Sequence, residues 1–442
     1  MNETVVQPTT NKVKEILSRH ILADGFDFVM DIEKSHGSWI YDKISGKEFL
    51  DMFSMFASAS IGYNHPYLLE KSAWLGKMAI NKPTLADVYS DEYAHFMEVF
   101  ERVAIPKELQ YAFFIDGGTM GVENAMKACF DWKTRKNFEK DLNIEAGICI
   151  HFRQSFHGRS GYTLSLTNTA DPRKHQYFPK FDWPRILNPK LKFPITEENL
   201  EETIKNERLA LLQIEEAIIS HPNKVACIII EPIQAEGGDN HFRDEFLKEL
   251  RNLCDENEVL LIFDEVQTGI GITGKMWAFQ HFSVVPDIIS FGKKTQVCGV
   301  LANKEKFDEI PNNVFKESSR INSTFGGNFI DMCRLQLTLE VIEKENLVEN
   351  ARVVGDFLLE ELKKLAEKFP EKISNARGRA LMCAIDLPSP EKRDLLQKVL
   401  YDDGLIILGC GTESLRFRPH LNVSKEEIQL AINKIENNIN KI

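Results

Sequence analysis

Between residues 111 and 291, short apolar runs alternate with stretches whose apolar positions return every three or four residues. That alternation predicts parallel strands joined by helices, each helix laying one apolar face on a sheet. Val122, Ala125, Met126, Cys129 and Phe130 share such a face and predict a helix over 119–132. Phe246, Leu247, Leu250, Leu253 and Cys254 predict a second near 242–257, with a strand at 259–263 directly after it. Beyond about residue 328 the chain turns to longer, charged amphipathic helices, with Val354, Phe357, Leu358, Leu362 and Leu365 on one stripe. A strand-like run at 380–387 interrupts them, and the last helix opens on Ser424 and Glu427, spaced as a capping box. Near the N-terminus, Trp39-Ile40-Tyr41-Asp42, Gly46-Lys47 and Phe49-Leu50-Asp51 read as a hairpin. The expected class is α/β. A large domain at 71–328, with a mainly parallel sheet between helices, is expected beside a smaller α+β domain at 329–442 that the segment 1–70 joins.

Composition narrows the partners. The 442 residues are 43% apolar and 27% charged, with a formal net charge of −12. An acidic chain is repelled by phosphate backbones and anionic lipid, so neither nucleic acid nor a membrane is expected as a partner. No apolar stretch approaches the ~18–20 residues of a bilayer span. Residues 1–20 are polar with no apolar signal core, so a cytoplasmic location is expected. The eight cysteines show no C-x-x-C spacing and no close Cys/His cluster, so neither a metal nor a disulfide framework is expected. Cys149 and Cys227, inside strand-like runs, read as small buried hydrophobes.

Candidate chemistry gathers where the apolar strands run out. Leu260-Leu261-Ile262-Phe263 ends on Asp264, and Ile288-Ile289-Ser290-Phe291-Gly292 ends on Lys293. A buried carboxylate can keep a pyridine nitrogen protonated, and a lysine amine can hold an aldehyde carbon as a Schiff base. The pair therefore reads as a pyridoxal 5′-phosphate site. Asp116-Gly117-Gly118-Thr119 stands between a strand-like run and a helix, where close backbone approach and free N–H groups suit a phosphate; taken alone it is equally a tight turn. Phe156-His157-Gly158-Arg159 offers a ring to stack on a cofactor and a guanidinium to grip a carboxylate. Glu231 and Glu236 follow another apolar strand, on the rim shared with Asp264, or are merely solvated acids. Residues 269–274 match G-x-G-x-x-G, the dinucleotide pattern. That match is weak, because its first glycine does not turn directly from strand to helix and Asp287 begins the next strand instead of ending it.

In chain order, Asp42-x-x-x-Gly46-Lys47, Gly62-Tyr63-Asn64-His65-Pro66, Phe156-His157-Gly158-Arg159, Asp264-Glu265-Val266-Gln267-Thr268-Gly269, Gly292-Lys293, Thr324-Phe325-Gly326-Gly327-Asn328 and Arg416-Phe417-Arg418-Pro419 resemble the class III (omega) aminotransferases. The resemblance spans nearly the whole chain. Phe181-Asp182-Trp183-Pro184 and residues 292–299 and 322–327 are most similar to the lysine 6-aminotransferase branch; 4-aminobutyrate aminotransferases share residues 231–241 and 409–411 and are the near rival.

The resemblance implies the fold type I of pyridoxal phosphate-dependent transferases. It also implies Lys293 as the Schiff-base lysine, Asp264 at the pyridine nitrogen, Phe156 and Val266 against the cofactor, and Gln267 near its phenolic oxygen and the substrate. Gly117, Gly118 and Thr119 match the phosphate turn, and Thr324 reaches the phosphate of the other subunit, which implies a homodimer with sites at its interface. The family's usual Ser-Gly-Thr-Glu-Ala is here Gly117-Gly118-Thr119-Met120-Gly121, so backbone N–H groups carry more of the phosphate. The implied reaction moves the ε-amino group of L-lysine to 2-oxoglutarate, giving 2-aminoadipate 6-semialdehyde and L-glutamate. Another ω-amine donor such as 4-aminobutyrate, and a catalytically silent binding protein on the same fold, are the alternatives. In the implied reaction Arg159 holds the carboxylate farther from the reacting carbon, Arg416 serves 2-oxoglutarate, and Glu236 neutralises Arg416 while lysine reacts.

Overall fold

Seven strands build the central sheet, in the order Tyr111–Ile115, Cys298–Ala302, Ile288–Phe291, Leu260–Asp264, Val225–Ile230, Ile148–Phe152 and Arg185–Ile186. All run parallel except Cys298–Ala302, which is antiparallel to both neighbours. The computed structural model describes residues 9–81 and 88–442; the first eight residues of the polar N-terminal stretch, and 82–87, lie outside it.

Every residue of Val225–Ile230 and Leu260–Asp264 is buried because helices cover both faces of the sheet. Side chains alternate between two cores. Leu261 and Phe263 join Ile228 and Ile230 on one face, while Leu260 and Ile262 join Cys227 and Ile229 on the other. Helix Asp244–Glu256 packs Phe246, Leu247, Leu250 and Cys254 into the first core, and helix Gly118–Glu139 packs Val122, Ala125, Met126, Cys129 and Trp132 into the second. The second of these helices continues to Glu139 instead of stopping at 132. Its extra turns are held by polar contacts that apolar periodicity does not register: Asn137 Nδ2 donates to the carbonyls of Ile144 (3.1 Å) and Asn223 (2.8 Å).

Toward the C-terminus, helix Leu347–Lys368 buries Val354, Leu358, Leu362 and Leu365 along the expected stripe. The strand-like run at 380–387 is strand Met382–Asp386 of a four-stranded antiparallel sheet, ordered Ser374–Arg379, Met382–Asp386, Ser414–Phe417, Leu408–Cys410. Ser424 and Glu427 form the expected capping box, with the Glu427 N–H donating to Ser424 Oγ (3.1 Å) and the Ser424 N–H to Glu427 Oε2 (2.9 Å). The N-terminal hairpin pairs Trp39 with Leu50, and its strand Glu48–Asp51 takes Leu405–Ile406 as a parallel neighbour. All eight cysteines are buried and free. Among the described residues no helix is long and apolar enough to cross a membrane.

Five parallel strands, Tyr111–Ile115, Ile148–Phe152, Val225–Ile230, Leu260–Asp264 and Ile288–Phe291, open their C-terminal ends on one edge of the sheet. The loops leaving that edge carry the turn 116–119 and the residues at 156–159, 231–238, 264–267 and 292–293, where open α/β sheets bind ligands. The G-x-G-x-x-G stretch is elsewhere in character. Gly271 (φ +84°) and Gly274 (φ +83°) turn the chain against Val348 and Arg352 of helix Leu347–Lys368, with no helix start to receive a dinucleotide phosphate.

Candidate active site

Asp264 ends its strand opposite Ser290, and that register brings three donors to its buried carboxylate. Ser290 Oγ (2.9 Å) and the Val266 N–H (3.1 Å) donate to Oδ1, and His157 Nδ1 lies 2.8 Å from Oδ2. A carboxylate accepts, so the His157 proton sits on Nδ1. His157 Nε2, equally buried, has no hydrogen-bond partner among the described residues.

Above Asp264 opens a cavity of about 200 Å³, whose wall includes Gly118, Thr119, Phe156, Glu236, Val266, Gln267 and Lys293. Eight of the expected residues, counting Asp264, therefore meet at one place. Lys293 has a left-handed backbone (φ +54°), a conformation that costs a non-glycine residue about 1 kcal/mol or more and recurs at functional sites. Burial, and after it the charge of Arg416, holds the Lys293 ammonium below the usual lysine range. Lys294 is different. It is buried outside the cavity wall, with Nζ donating to the Gln267 carbonyl (2.9 Å).

The turn at Gly117 (φ +92°) opens the 22-residue helix Gly118–Glu139, and a glycine at the cap position brings no side-chain acceptor to its first N–H groups. A Cβ on Gly118 would lie 3.2 Å from Val266 Cγ1, so glycine lets this helix start close under the Asp264 loop. A Cβ on Gly158 would come within 2.5 Å of Thr119 Oγ1, which brings the Phe156 loop equally close to the turn.

Arg416 enters from the antiparallel sheet, on strand Ser414–Phe417 between Ala384 and Leu408. Its Nη2 lies 2.9 Å from Glu236 Oε2, and its buried Nη1 has no partner among the described residues. Burial alone would raise the Glu236 carboxyl, but Arg416 and Lys174 outweigh it and hold it below the usual range. The loop is clamped from the same sheet: the Gly411 N–H donates to the Glu236 carbonyl (2.9 Å), and Arg418 grips Asp239 through Nη1–Oδ2 (2.8 Å) and Nη2–Oδ1 (2.5 Å). Arg159 and Thr324 are exposed and lie outside this cavity wall.

Four contributors escaped the sequence reading. His157 and Ser290 orient Asp264, and Lys174 pairs with Glu236. Glu265 accepts from Thr268 Oγ1 and from the N–H groups of Ala278 (2.9 Å) and Phe279 (2.7 Å), which props the Asp264 loop from below. Glu231 is no solvated acid: it is buried and accepts the N–H groups of Phe156 and Ala235, both at 3.0 Å, tying two site loops together. His157 and Glu265 left a signal, their places inside the quoted Phe156–Arg159 and Asp264–Gly269 motifs.

These residues fit pyridoxal phosphate. The N–H groups that open helix Gly118–Glu139 would hold its phosphate, the oriented Asp264 carboxylate would hold its ring nitrogen, and a lysine amine lines the same cavity. Gln267 Oε1, buried without a partner among the described residues, is a polar atom that such a group would satisfy. Known proteins agree with that chemistry. The aminotransferase class-III family matches residues 22–439. An L-lysine-epsilon aminotransferase of Amycolatopsis lactamdurans is 46% identical, covering 95% of this chain and 94% of its own, whereas a 4-aminobutyrate aminotransferase of Schizosaccharomyces pombe is 33% identical, covering 98% and 94%. The solved lysine aminotransferase from M. tuberculosis superimposes with a TM-score of 0.95 at 47% identity, covering 97% of this chain and 99% of that one. With the sheet order, the oriented acid and the cavity lysine already in place, the chain belongs to the class III aminotransferases: it is a pyridoxal phosphate-dependent transaminase of fold type I.

Proposed function

We propose that this enzyme transfers the ε-amino group of L-lysine to 2-oxoglutarate, giving 2-aminoadipate 6-semialdehyde and L-glutamate. The observation that carries the reading is the Glu236–Arg416 ion pair beside the cavity (2.9 Å). An ω-amine donor brings no carboxylate next to its reacting carbon, so Arg416 needs an internal partner during that stroke. A keto acid brings its own, and Glu236 then has to yield. The likeness to lysine aminotransferases above that to 4-aminobutyrate aminotransferases supports lysine as the donor.

When bound, pyridoxal phosphate supplies an aldehyde that condenses with amines and a pyridinium ring that draws electrons from the adjacent bonds. The chain's own residues divide the remaining work. Asp264, aimed by His157, Ser290 and Val266, would keep the proton on the ring nitrogen. Phe156 and Val266 would flank the ring, Gln267 would meet its phenolic oxygen, and Gly117, Gly118 and Thr119 would hold the phosphate. Lys293 Nζ, whose ammonium form is disfavoured by burial and by Arg416, takes a proton from the ε-carbon of lysine. Arg159, exposed in the single chain, turns inward to hold the far carboxylate.

Thr324 is exposed and outside its own cavity wall, which supports a homodimer in which it serves the partner's phosphate site. We assign the enzyme to the cytoplasm. The large domain is taken as 71–328, with the small one at 329–442 joined by 1–70. Initial rates with lysine, 4-aminobutyrate and other ω-amines at fixed 2-oxoglutarate test the donor. A rate with 4-aminobutyrate above that with lysine would overturn it.

A further inference from the structure

Lys174 lies outside every motif that led to the site. It ends the short turn Pro172–Lys174, which Asp171 fixes by accepting the Arg173 N–H (3.1 Å) and gripping the Arg173 side chain at 2.8 and 2.9 Å. From there Nζ reaches Glu236 Oε1, on the opposite oxygen from Arg416. The two partners are largely shielded, with side chains 25% and 21% exposed, and Nζ stands 6.0 Å from the centre of the Phe156 ring. One carboxylate thus sits between two cations, each on its own oxygen. These three side chains together carry one positive charge in excess, the charge that an incoming carboxylate would neutralise.

The Glu236 backbone is not free to follow its side chain. Its carbonyl is bound by the Gly411 N–H, and three residues on Asp239 is locked to Arg418. Displacement of Glu236 is therefore a side-chain movement. Without Lys174, a shielded carboxylate that leaves Arg416 loses its only cation, and breaking such a pair is expensive. With Lys174, the same movement keeps one ion pair while giving up the other.

We propose that Lys174 is a positioning residue that retains Glu236 when a substrate carboxylate takes Arg416, so that the site opens to a dicarboxylate without stranding its own acid. The proposal deepens the reading above and rests on its assignment of Arg416 as a carboxylate receptor. It differs from direct recognition, in which Lys174 Nζ would itself hold the substrate.

The test is calorimetric titration of the pyridoxal phosphate-loaded enzyme with glutarate, an unreactive dicarboxylate. Lys174→Met and Lys174→Gln are each expected to weaken glutarate about tenfold, between the cost of losing an exposed pair and a buried one. Lys174→Arg restores most of the affinity. In a Glu236→Gln background, where no charged acid needs a second partner, Lys174→Met is expected to change the affinity by less than about twofold, which is the additive limit for groups that no longer interact. Unchanged or tighter glutarate binding in the single variants overturns the proposal. A tenfold loss that persists in the Glu236→Gln background also overturns it, in favour of direct contact. Wild-type enzyme that fails to bind glutarate removes Arg416 as receptor and the proposal with it. Wild-type enzyme that binds glutarate but does not use lysine removes only the donor.

Discussion

Nδ1 of His157 stands 2.8 Å from Oδ2 of Asp264, and the two side chains are 0% and 4% exposed. The imidazole comes from the loop after Ile148–Phe152 and spans the intervening strand Val225–Ile230 to reach the end of Leu260–Asp264. Ser290 and Val266 fix the other oxygen, so the carboxylate has one orientation. Asp264→Asn puts an amide where an anion is required and faces one of those donors with an N–H₂ group. We expect weak cofactor retention and a fall in kcat of about 10²–10³-fold, the usual cost of one preorganised electrostatic group. Cofactor titration and single-turnover rates measure both, and wild-type turnover would reduce Asp264 to a structural acid.

Adjacent lysines give a sharp comparison. Lys293→Ala is expected to abolish turnover and the visible absorbance of lysine-linked cofactor, because Lys294 Nζ is committed to the Gln267 carbonyl (2.9 Å). Lys294→Ala keeps the absorbance band but loses a buried hydrogen bond, at a cost of about 1–3 kcal/mol in unfolding free energy. If the Lys294 variant were the one to lose the band, the register of the site would be off by one.

The strand ends were readable because a buried parallel strand is a run of apolar residues, and the first polar residue after it stands at the sheet edge. Asp264, Lys293 and Glu231 stand out that way, Glu236 only by lying in the same loop as Glu231, and the residues of helix Gly118–Glu139 by their period. Lys174 and Ser290 were not legible. Lys174 meets Glu236 across 62 positions of sequence, and Ser290 meets Asp264 across 26 through strand pairing, so neither partnership leaves a local pattern. Arg159 shows the converse. It stands within a quoted motif, yet it is exposed and outside the cavity wall of a single chain.

Two buried acids set a pH dependence of stability. Burial pushes the carboxyls of Glu231 and Glu265 up to about 7 from the ordinary 4.5, against the Phe156 and Ala235 N–H donors of Glu231 and the Thr268, Ala278 and Phe279 donors of Glu265. Between those two values the folded chain keeps protons that the unfolded chain has released, so stability falls as pH rises through the window, and the loss is complete above it. Each group contributes at most about 3 kcal/mol. Urea unfolding at saturating cofactor from pH 4.5 to 8 is expected to show a flatter slope for Glu231→Gln than for wild type, whatever the variant's absolute stability. Parallel slopes would mean that Glu231 is ionised throughout.

The Arg416–Glu236 pair makes the two strokes of the reaction separable. In the proposed lysine stroke Arg416 would face a methylene chain, neutralised by Glu236, which lies 2.9 Å away. In the proposed 2-oxoglutarate stroke it would bind the carboxylate next to the reacting carbon. Arg416→Ala therefore removes a substrate contact from one stroke and only an internal contact from the other. We expect the 2-oxoglutarate half-reaction to lose about 10²-fold or more in kcat/KM, with the lysine half-reaction reduced less than about tenfold. The partly buried acid left behind still has Lys174, which limits the structural damage. Glu236→Ala acts in the opposite sense. Arg416 then stands uncompensated in a desolvated wall, so α-amino donors such as glutamate, which bring a carboxylate to it, gain on lysine. Single-turnover absorbance of each half-reaction, recorded for both variants, separates these effects, and equal damage to both strokes in the Arg416 variant would rule out the exchange of partners at Arg416.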